Sequence, residues 1–261
     1  MSPQTDRADA DKTDAAGVNW SSQTVLITGA ARRLGRALAA ALAARGARLL
    51  LHYHRSGGET HSLARSLESN GASVTLLQAD LRHPEEQERL AAQAIAADPP
   101  PTGLVNNASL YERSPLDDWS RQVWEDHLAI NLTAPVWLAV RLGRDMQARG
   151  GGNIVQIGDW SSRRPYPHYL AYTVSKGGLE TATRALAREL APQVRVNLLA
   201  LGPMLLPEES GPERERLVRR AVPLGRLGGT EAYVAAVLSL LDPRTYATGS
   251  VVTLDGGRSL T

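Results

Sequence analysis

Short, mostly apolar runs alternate with longer helical patterns from residue 24 onward, and this alternation limits the fold more than any other feature of the chain. Such runs indicate β-strands that are covered on both faces, because a strand with one solvated face alternates apolar and polar residues instead. Strands that alternate with helices join into a parallel sheet. The predicted strands cover residues 24–28, 47–53, 73–78, 102–107, 153–158, 194–200 and 250–255.

Helical patterns fill the gaps between these strands. Seven parallel strands with helices on both faces make an α/β fold, a single Rossmann-like doubly wound domain with a seven-stranded parallel sheet. Ligands of such sheets bind in the crevice beyond the carboxyl ends of the strands, so functional side chains are expected there. Pro135 is the expected break in the longest helix. The predicted helices cover residues 34–45, 59–70, 85–97, 119–149, 170–190 and 230–241.

Composition narrows the class of protein. The chain has 261 residues, of which 43% are hydrophobic and 21% charged, and this is enough to bury one large core. The absence of cysteine excludes disulfides and thiolate metal sites and suits a reducing compartment, so a cytoplasmic location is expected. A formal net charge of +2 without any basic block gives no indication of nucleic-acid binding.

The apolar segments are too short for a membrane protein. The longest runs, such as residues 37–44, fall far short of the roughly 20 residues that span a bilayer. The first 20 residues are polar, have mixed charge and lack the apolar core of a signal peptide. We therefore expect a disordered polar tail over residues 1–21 and one folded domain over residues 22–261.

The first predicted strand continues directly into the turn TGAARRLG, residues 28–35, which opens an alanine-rich helix. A tight turn at this place aims backbone N–H groups and the positive end of the helix at a phosphate. Gly29 and Gly35 supply the turn and its close packing, while Arg33 stands where a third glycine is usual. Two interpretations stay open, that Arg33 contacts a pyrophosphate or that the segment is only a strand-to-helix turn.

The end of the second strand indicates which dinucleotide would bind. His54, Arg55 and Ser56 stand where a site for NAD would carry an acidic residue. An arginine fork binds a 2′-phosphate that a carboxylate would repel, so the segment favours NADPH, and a solvated strand end is the alternative. His52 and His54 form an H-x-H pattern without a third ligand, so no metal site is predicted.

Three groups of different chemistry are gathered in the stretch GDWSSRRPYPHYLAYTVSK, residues 158–176. Tyr172 and Lys176 lie four residues apart on a predicted helix and project from one face, and Asp159 lies at the end of the fifth strand. The chain has only two lysines, Lys12 and Lys176, so chance rarely produces this pair. A lysine can reach a ribose and lower the pKa of a neighbouring phenol; the alternative is a plain helical salt bridge.

These motifs resemble those of the short-chain dehydrogenases/reductases over about residues 22–261. The glycine turn, NNAS at residues 106–109, the Tyr-x-x-x-Lys pair, INLTAP around Asn131 and the terminal LDGG stand in that family's order and spacing. The resemblance implies that Lys176 holds the nicotinamide ribose and acidifies Tyr172, and that Tyr172 passes a proton to the substrate. It also implies that Asn131 helps to hold a water that connects Lys176 to solvent.

Asp159 stands where the family usually has a serine. A hydroxyl donor suits a ketone, whereas a carboxyl group suits a substrate with ring nitrogens. Aspartate is typical here of the pteridine reductases, which the chain also resembles in Arg33, in HYHRS, in NNASLY, and in the offsets of Pro165 and Tyr169. That resemblance implies a pterin stacked between the nicotinamide and Tyr111, where a phenylalanine would be expected.

The expected site residues follow from the motifs and from the resemblance. Asp80 could accept a hydrogen bond from the adenine amino group, with a turn or helix-cap aspartate as the alternative. Leu201 stands before Gly202 where the family more often has proline, so the turn at the nicotinamide amide is expected to be looser.

The expected catalytic residues are Asp159, Tyr172, Lys176 and Asn131. The substrate-binding residues are Ser109, Tyr111, Asp159 and Tyr172. The cofactor-binding residues are Gly29, Arg33, Leu34, Gly35, His54, Arg55, Ser56, Asp80, Leu81, Asn107, Ala108, Ser109, Tyr172, Lys176 and Gly202.

The leading hypothesis is an NADPH-dependent reductase of a dihydropterin or a related folate. The alternatives are a carbonyl reductase of the same fold, for example of a 3-oxoacyl thioester, and a protein that binds NADPH without turnover. The expected partner is a small-molecule substrate, and the resemblance implies a homotetramer built around the helix of Tyr172 and the final strand. Residues 204–223 are expected to form a mobile flap over the substrate, with a solvated surface helix as the alternative.

Overall fold

Seven parallel strands form one sheet in a computed structural model that describes residues 17–207 and 209–261. The spatial order is β3-β2-β1-β4-β5-β6-β7, and every neighbouring pair is parallel, which confirms the predicted seven-stranded parallel sheet. The strands are β1 (Thr24–Ile27), β2 (Arg48–Tyr53), β3 (Val74–Gln78), β4 (Gly103–Asn106), β5 (Gly152–Asp159), β6 (Val194–Leu201) and β7 (Val251–Leu254).

Helices cover both faces of this sheet. They are α1 (Arg33–Ala43), α2 (Gly57–Glu68), α3 (Pro84–Ile95), α4 (Arg121–Leu128), α5 (Ala134–Ala148), α6 (Leu170–Glu189), α7 (Pro212–Arg220) and α8 (Gly229–Leu241). Helices α1, α2 and α8 pack into one hydrophobic core layer, and α3, α5 and α6 pack into the other. Within the described ranges, no helix combines the length and apolar character needed to cross a membrane.

Strand β1 shows why the predicted strands are apolar throughout. Val25 and Ile27 belong to one core layer and Leu26 to the other, because successive side chains of a strand point to opposite faces. Burial of each such side chain contributes roughly 1.5–3 kcal/mol to stability. Strand β1 pairs with β2 on one side and with β4 on the other, so the strand order reverses there and opens a crevice at the carboxyl ends.

The helix predicted over residues 119–149 is interrupted just before Pro135, where a break was expected. Helix α4 leads into a π-helical turn, Ala129–Thr133, and α5 then begins with Pro135 in its first turn. Proline has no N–H to donate, so it fits the start of a helix, while the wider turn before it keeps the backbone continuous. The π-helical turn contains the buried Asn131.

The packed chain begins before the boundary expected from the sequence. Residues 1–16 of the expected tail lie outside the described residues, but Val18 and Trp20 belong to a hydrophobic core cluster, and Trp20 is only 2% exposed. A short 3-10 turn, Trp20–Ser22, leads from there into β1. These two side chains therefore belong to the folded domain, although the prediction assigned them to the tail.

The segment after β6 contains the surface helix that was held open as an alternative. Helix α7 has no buried residue, and Arg219 and Glu215 form an ion pair at 2.5 Å between residues four apart. Gly202, at the start of this segment, donates its N–H to the carbonyl of Leu254 on β7 at 2.9 Å. The turn after Leu201 is therefore tied to the neighbouring strand.

Candidate active site

The turn after β1 can be built only with glycine at two positions. Gly29 has a φ of +65°, and a Cβ atom there would lie 2.9 Å from the Cα atom of Ala108. A Cβ atom at Gly35 would overlap the carbonyl oxygen of Gly29 and lie 2.8 Å from Nδ2 of Asn107. The two glycines thus allow the start of α1 and the end of β4 to approach each other closely.

Asn107 fastens this turn to the rest of the site. Its Nδ2 donates to the carbonyl oxygens of Thr28 at 2.9 Å and Gly29 at 3.1 Å. Its Oδ1 accepts a hydrogen bond from the buried phenol of Tyr233 on α8 at 3.0 Å. The amide of Asn107 therefore joins the ends of β1 and β4 to α8.

His52 is a second fastening residue, which the sequence suggested only as an incomplete metal pattern. Its Nδ1 accepts from the N–H of Gly29 at 3.2 Å, and its Nε2 lies 3.0 Å from the carbonyl oxygen of Ala79. Burial lowers the pKa of His52 to about 4, so the ring is neutral at physiological pH. Both ring nitrogens are used inside the protein, and His52 acts on the shape of the glycine turn.

A groove of about 430 Å³ lies beside the glycine turn at the carboxyl ends of β1, β2, β3 and β4. Arg32, His52 and Ile130 also line it, without having been predicted as site residues. Five predicted cofactor residues do not line it: Arg55, Ser56, Tyr172, Lys176 and Gly202. The predicted residues that do line it are Gly29, Arg33, Leu34, Gly35, His54, Asp80, Leu81, Asn107, Ala108 and Ser109.

Two adjacent arginines give the groove its positive charge. Arg33 has a φ of +50°, which is rare for a residue with a side chain, and its Nη2 donates to the carbonyls of Leu205 at 3.2 Å and Leu206 at 3.1 Å. Arg32 forms an ion pair with Glu59 in the first turn of α2. Arg33 thus connects the glycine turn to the segment that follows β6.

Asp80 is paired within the protein. Nε and Nη2 of Arg82 both contact its carboxylate, the shortest distance being 2.5 Å, and Nε2 of His54 lies 3.3 Å from Oδ2. The hydrogen bonds from Arg82 lower the pKa of Asp80 to about 2.

Arg55, at the end of β2, is exposed, while the carbonyl of Ser56 accepts from the first turn of α2.

The three groups singled out between residues 158 and 176 do converge. Oη of Tyr172 donates to Oδ2 of Asp159 at 2.9 Å, and Oδ1 of Asp159 accepts from the N–H of Ser161 at 2.8 Å. Nζ of Lys176 donates to the carbonyl of Ile157 at 2.8 Å and lies 5.8 Å from the centre of the Tyr172 ring. The end of β5 and the first two turns of α6 therefore build one polar centre.

Burial decides the protonation of this centre. Desolvation, the negative charge of Asp159 and the hydrogen bond to it raise the pKa of Tyr172 well above its usual value. Desolvation lowers the pKa of Lys176 to about 8, against the opposing effect of the Asp159 charge. Tyr172 therefore keeps its proton at neutral pH, and Lys176 keeps its charge only up to mildly alkaline pH. The raised pKa of Tyr172 is opposite to the acidified phenol that the family resemblance implied, because burial and the Asp159 charge dominate.

Asn131 connects the π-helical turn to both neighbouring segments. Its Oδ1 accepts from the N–H of Leu110 at 2.8 Å and from Oγ of Ser109 at 3.2 Å. Its Nδ2 donates to the carbonyl of Leu110 at 2.8 Å and to Oγ of Ser175 at 3.2 Å. Ser175 lies between Tyr172 and Lys176 on α6, so Asn131 aligns the end of β4 with the helix that carries both residues.

Aromatic rings form one side of the polar centre. Tyr111 meets the ring of Tyr172 edge-on at 4.8 Å and stacks on Tyr169 at 4.8 Å with an interplanar angle of 13°. Oη of Tyr111 lies 3.0 Å from Oη of Tyr166, and Tyr166 in turn stacks on Trp160 at 5.9 Å. We call Tyr111, Tyr166, Tyr169 and Trp160 the aromatic wall. The sequence indicated Tyr111 and Tyr169 but not Tyr166 or Trp160.

Glu180 holds the turn that follows Asp159. It lies one and two helical turns beyond Lys176 and Tyr172 on the same face of α6, and it is buried. Its Oε1 accepts from Arg163 and its Oε2 from Oγ of Ser162. The turn carrying Trp160 is thereby fixed to the helix that carries the polar centre.

Known proteins are similar to this chain over most of their length. The sequence profile of the short chain dehydrogenases matches residues 23–215. Galactitol 2-dehydrogenase (L-tagatose-forming) of Cereibacter sphaeroides is 35% identical over 241 residues, which cover 88% of this chain and 92% of that protein. The structure of FolM alternative dihydrofolate reductase 1 from Brucella canis, complexed with NADP, is 34% identical with a TM-score of 0.85, covering 94% of this chain and 97% of that one. Its counterpart from Brucella suis, also with NADP, is 33% identical with a TM-score of 0.86, covering 93% and 97%. This chain belongs to the short chain dehydrogenase family.

Proposed function

We propose that this oxidoreductase is an NADPH-dependent reductase of a dihydropterin or a dihydrofolate. The observation that carries the proposal is the 2.9 Å hydrogen bond from Tyr172 to Asp159 beside an aromatic wall. A carboxyl group at this place can accept from or donate to a ring nitrogen, and a partly exposed aromatic face suits a flat conjugated ring. The FolM dihydrofolate reductases, at 33–34% identity, support the same substrate class.

The strand-end groove fits a dinucleotide phosphate. Gly29 and Gly35 let the backbone at the start of α1 approach a ligand, and Arg32 and Arg33 supply positive charge beside it. Arg55 at the end of β2 is exposed and stands where an acidic residue would favour NAD. Arginine at that end suits a 2′-phosphate, which supports NADPH as the cofactor, as do the NADP complexes of the FolM proteins.

Tyr172, Asp159 and Lys176 each have a role in the proposed reduction. When bound, NADPH supplies a hydride to the imine carbon of the substrate. The proton that completes the reduction reaches the ring nitrogen from Tyr172 and Asp159, or from a water beside them for a dihydro substrate. Tyr172 holds a proton at neutral pH, because its pKa is raised, and its hydrogen bond to Asp159 places the two groups side by side. Lys176 contributes a buried positive charge next to the phenol and a donor for the nicotinamide ribose.

A carbonyl reductase is the second candidate. Galactitol 2-dehydrogenase, at 35% identity, is named for a reaction that interconverts an alcohol and a ketone sugar, and its chain matches over 88% of this one. The first experiment measures NADPH and NADH oxidation at 340 nm with dihydrobiopterin, dihydrofolate, an acetoacetyl thioester and a simple diketone. Turnover confined to the pterins supports the proposal, whereas turnover confined to ketones would select the carbonyl reductase.

Asp159 is the residue that separates these candidates. We expect Asp159→Ser to lower kcat/KM for dihydropterin reduction by about 100-fold, since a hydroxyl cannot replace a carboxyl group at a ring nitrogen. Asp159→Asn keeps the size of the side chain but removes the charge and one of the two acceptor oxygens that bind Tyr172 and the N–H of Ser161, so it should also lower pterin turnover. Gly58→Ala on α2, where the added methyl group meets open space, is the control and should behave as the unmodified protein. Intact pterin turnover in Asp159→Ser would contradict the proposed role.

The assembly we propose is a homotetramer built around α6 and β7. Both elements expose apolar side chains, among them Leu170 and Val174 on α6 and Val252 on β7. Exposed apolar side chains on a helix and on an edge strand are suitable surfaces for self-association.

A further inference from the structure

An arginine lies at the far end of the aromatic wall from the polar centre. The guanidinium carbon of Arg258 is 5.0 Å from the centre of the Trp160 ring, a cation–π contact. Trp160 stacks on Tyr166, and Tyr166 meets Tyr169 edge-on at 5.0 Å. Tyr169 stacks on Tyr111, whose ring meets that of Tyr172. A continuous row of ring contacts thus connects the hydrogen-bonded Tyr172 to a positive charge.

The guanidinium of Arg258 uses only one of its three nitrogens as a donor within the described residues. Its Nη1 donates to Oγ1 of Thr261 at 3.0 Å and to the carbonyl oxygen of Thr261 at 3.4 Å. Across residues 17–207 and 209–261, no aspartate or glutamate forms an ion pair with Arg258, and Nε and Nη2 have no acceptor. Arg163 and Arg184, by contrast, both pair with Glu180 nearby. The open edge of Arg258 offers two parallel N–H groups to a carboxylate.

Hydrogen bonds hold the turn that carries Arg258. The carboxylate of Asp255 accepts from the N–H of Gly257 at 2.9 Å and from the N–H of Ser259 at 2.7 Å, and Asp255 itself is buried. The turn also packs against the Trp160–Ser162 turn that follows Asp159. A cation held by its own backbone and by an aromatic face loses little freedom when it binds an anion.

We infer that Arg258 forms an anion-binding subsite of the substrate cleft, for the carboxylate tail of an elongated substrate whose flat head lies at Asp159 and Tyr172. The inference rests on the proposed function and deepens it, because it favours a dihydrofolate, with its aryl linker and glutamate carboxylates, over a dihydrobiopterin, which has no carboxylate. The aromatic wall accommodates the linker between the two ends.

The test compares dihydrofolate with its dimethyl ester, which differs only at the carboxylates, and with dihydrobiopterin, which lacks both the aryl linker and the carboxylates. We would measure kcat/KM for dihydrofolate, its dimethyl ester and dihydrobiopterin in the unmodified protein, in Arg258→Ala and in Arg258→Lys. The control is Arg48→Ala at the start of β2, an exposed arginine at the amino ends of the strands, on the edge of the sheet opposite the cleft. In Arg258→Ala the ratio of kcat/KM for dihydrofolate to kcat/KM for dihydrobiopterin should fall about tenfold, mainly because the KM for dihydrofolate rises. Arg258→Lys should give a ratio between those of Arg258→Ala and the unmodified protein.

The outcomes separate the subsite from the proposed function. If the unmodified protein already turns over the dimethyl ester as well as dihydrofolate, or Arg258→Ala leaves the substrate preference unchanged, the subsite is overturned while pterin reduction stands. If no pterin is reduced by the unmodified protein, the proposed function fails and the inference with it. A thermal melt of each variant, expected within a few degrees of the unmodified protein, shows that the C-terminal turn remains folded.

Discussion

Lys176 carries a positive charge into a site that largely excludes water. Its side chain is 2% exposed, and Nζ is held by the carbonyl of Ile157. The desolvation that lowers its pKa to about 8 means that a modest rise in pH neutralises the group. The neighbouring Tyr172 has a raised pKa and does not titrate in that range. The charge of the polar centre is therefore controlled by one amine.

The lowered pKa of Lys176 beside the raised pKa of Tyr172 predicts that kcat/KM falls at alkaline pH through one titrating group. The ammonium form of Lys176 is present below about pH 8, so kcat/KM should be level from pH 6.5 to 7.5 and fall about tenfold for each further unit above pH 8. The measurement is the initial rate of NADPH oxidation with a subsaturating substrate, in buffers of constant ionic strength. A profile that stays level to pH 10 would show that the bound state keeps Lys176 charged.

Local spacing identified some residues of the site and could not identify others. Tyr172 and Lys176 were predicted together because residues four apart on a helix project from the same face. The pairing of Asp80 with Arg82 depends on the shape of a turn, and the contact of Arg258 with Trp160 joins two distant segments. The spacing of residues does not encode the contact of Arg258 with Trp160, because it exists only after the sheet has assembled.

At the scale of elements, the glycine turn and the π-helical turn are the two parts that shape the site. The first was predicted because glycine is required where backbone segments approach closely. The second was not predicted, since the apolar period of α4 and α5 continues through it and the sequence shows only Pro135. The π-helical turn matters because it places Asn131 among Ser109, Leu110 and Ser175.

The glycine turn gives a matched pair of substitutions. Gly35→Ala should lower stability by about 1–3 kcal/mol and abolish tight NADPH binding, because its methyl group meets the backbone of Gly29. Gly58→Ala, on α2 with nothing within 4 Å, should leave binding unchanged and raise stability by up to about 1 kcal/mol. Thermal melts and titration of NADPH fluorescence measure both effects, and equal behaviour of the two variants would contradict the assignment.

At the scale of the whole molecule, the alternation of strands and helices was sufficient to predict the fold class and all seven strands. It was not sufficient for the N-terminal limit, because Trp20 lies outside the alternation and is recognised only by its burial. Alternation also says nothing about which strand neighbours which. The reversal of order at β1 is a property of the assembled sheet, and it brings the ends of β1 and β4 together.

The proposed homotetramer can be tested by a charge placed on its expected interface. Val174→Glu on α6 should produce a smaller species in light scattering after size exclusion, because an unpaired carboxylate would be buried between subunits. Leu217→Glu, on the exposed helix α7 outside α6 and β7, is the control and should keep the mass of the unmodified protein. A tetramer that survives Val174→Glu would place the interface elsewhere.

The scarcity of lysine has a consequence for labelling. Lys176 is the only lysine between residues 17 and 261, and its lowered pKa gives it a larger unprotonated fraction at neutral pH than an exposed lysine has. Acylating reagents react with that unprotonated amine, so within those residues they have one side-chain target, reached only through the cleft. The extent of acylation at Lys176, measured by mass spectrometry, therefore reports how accessible the polar centre is in the unmodified protein.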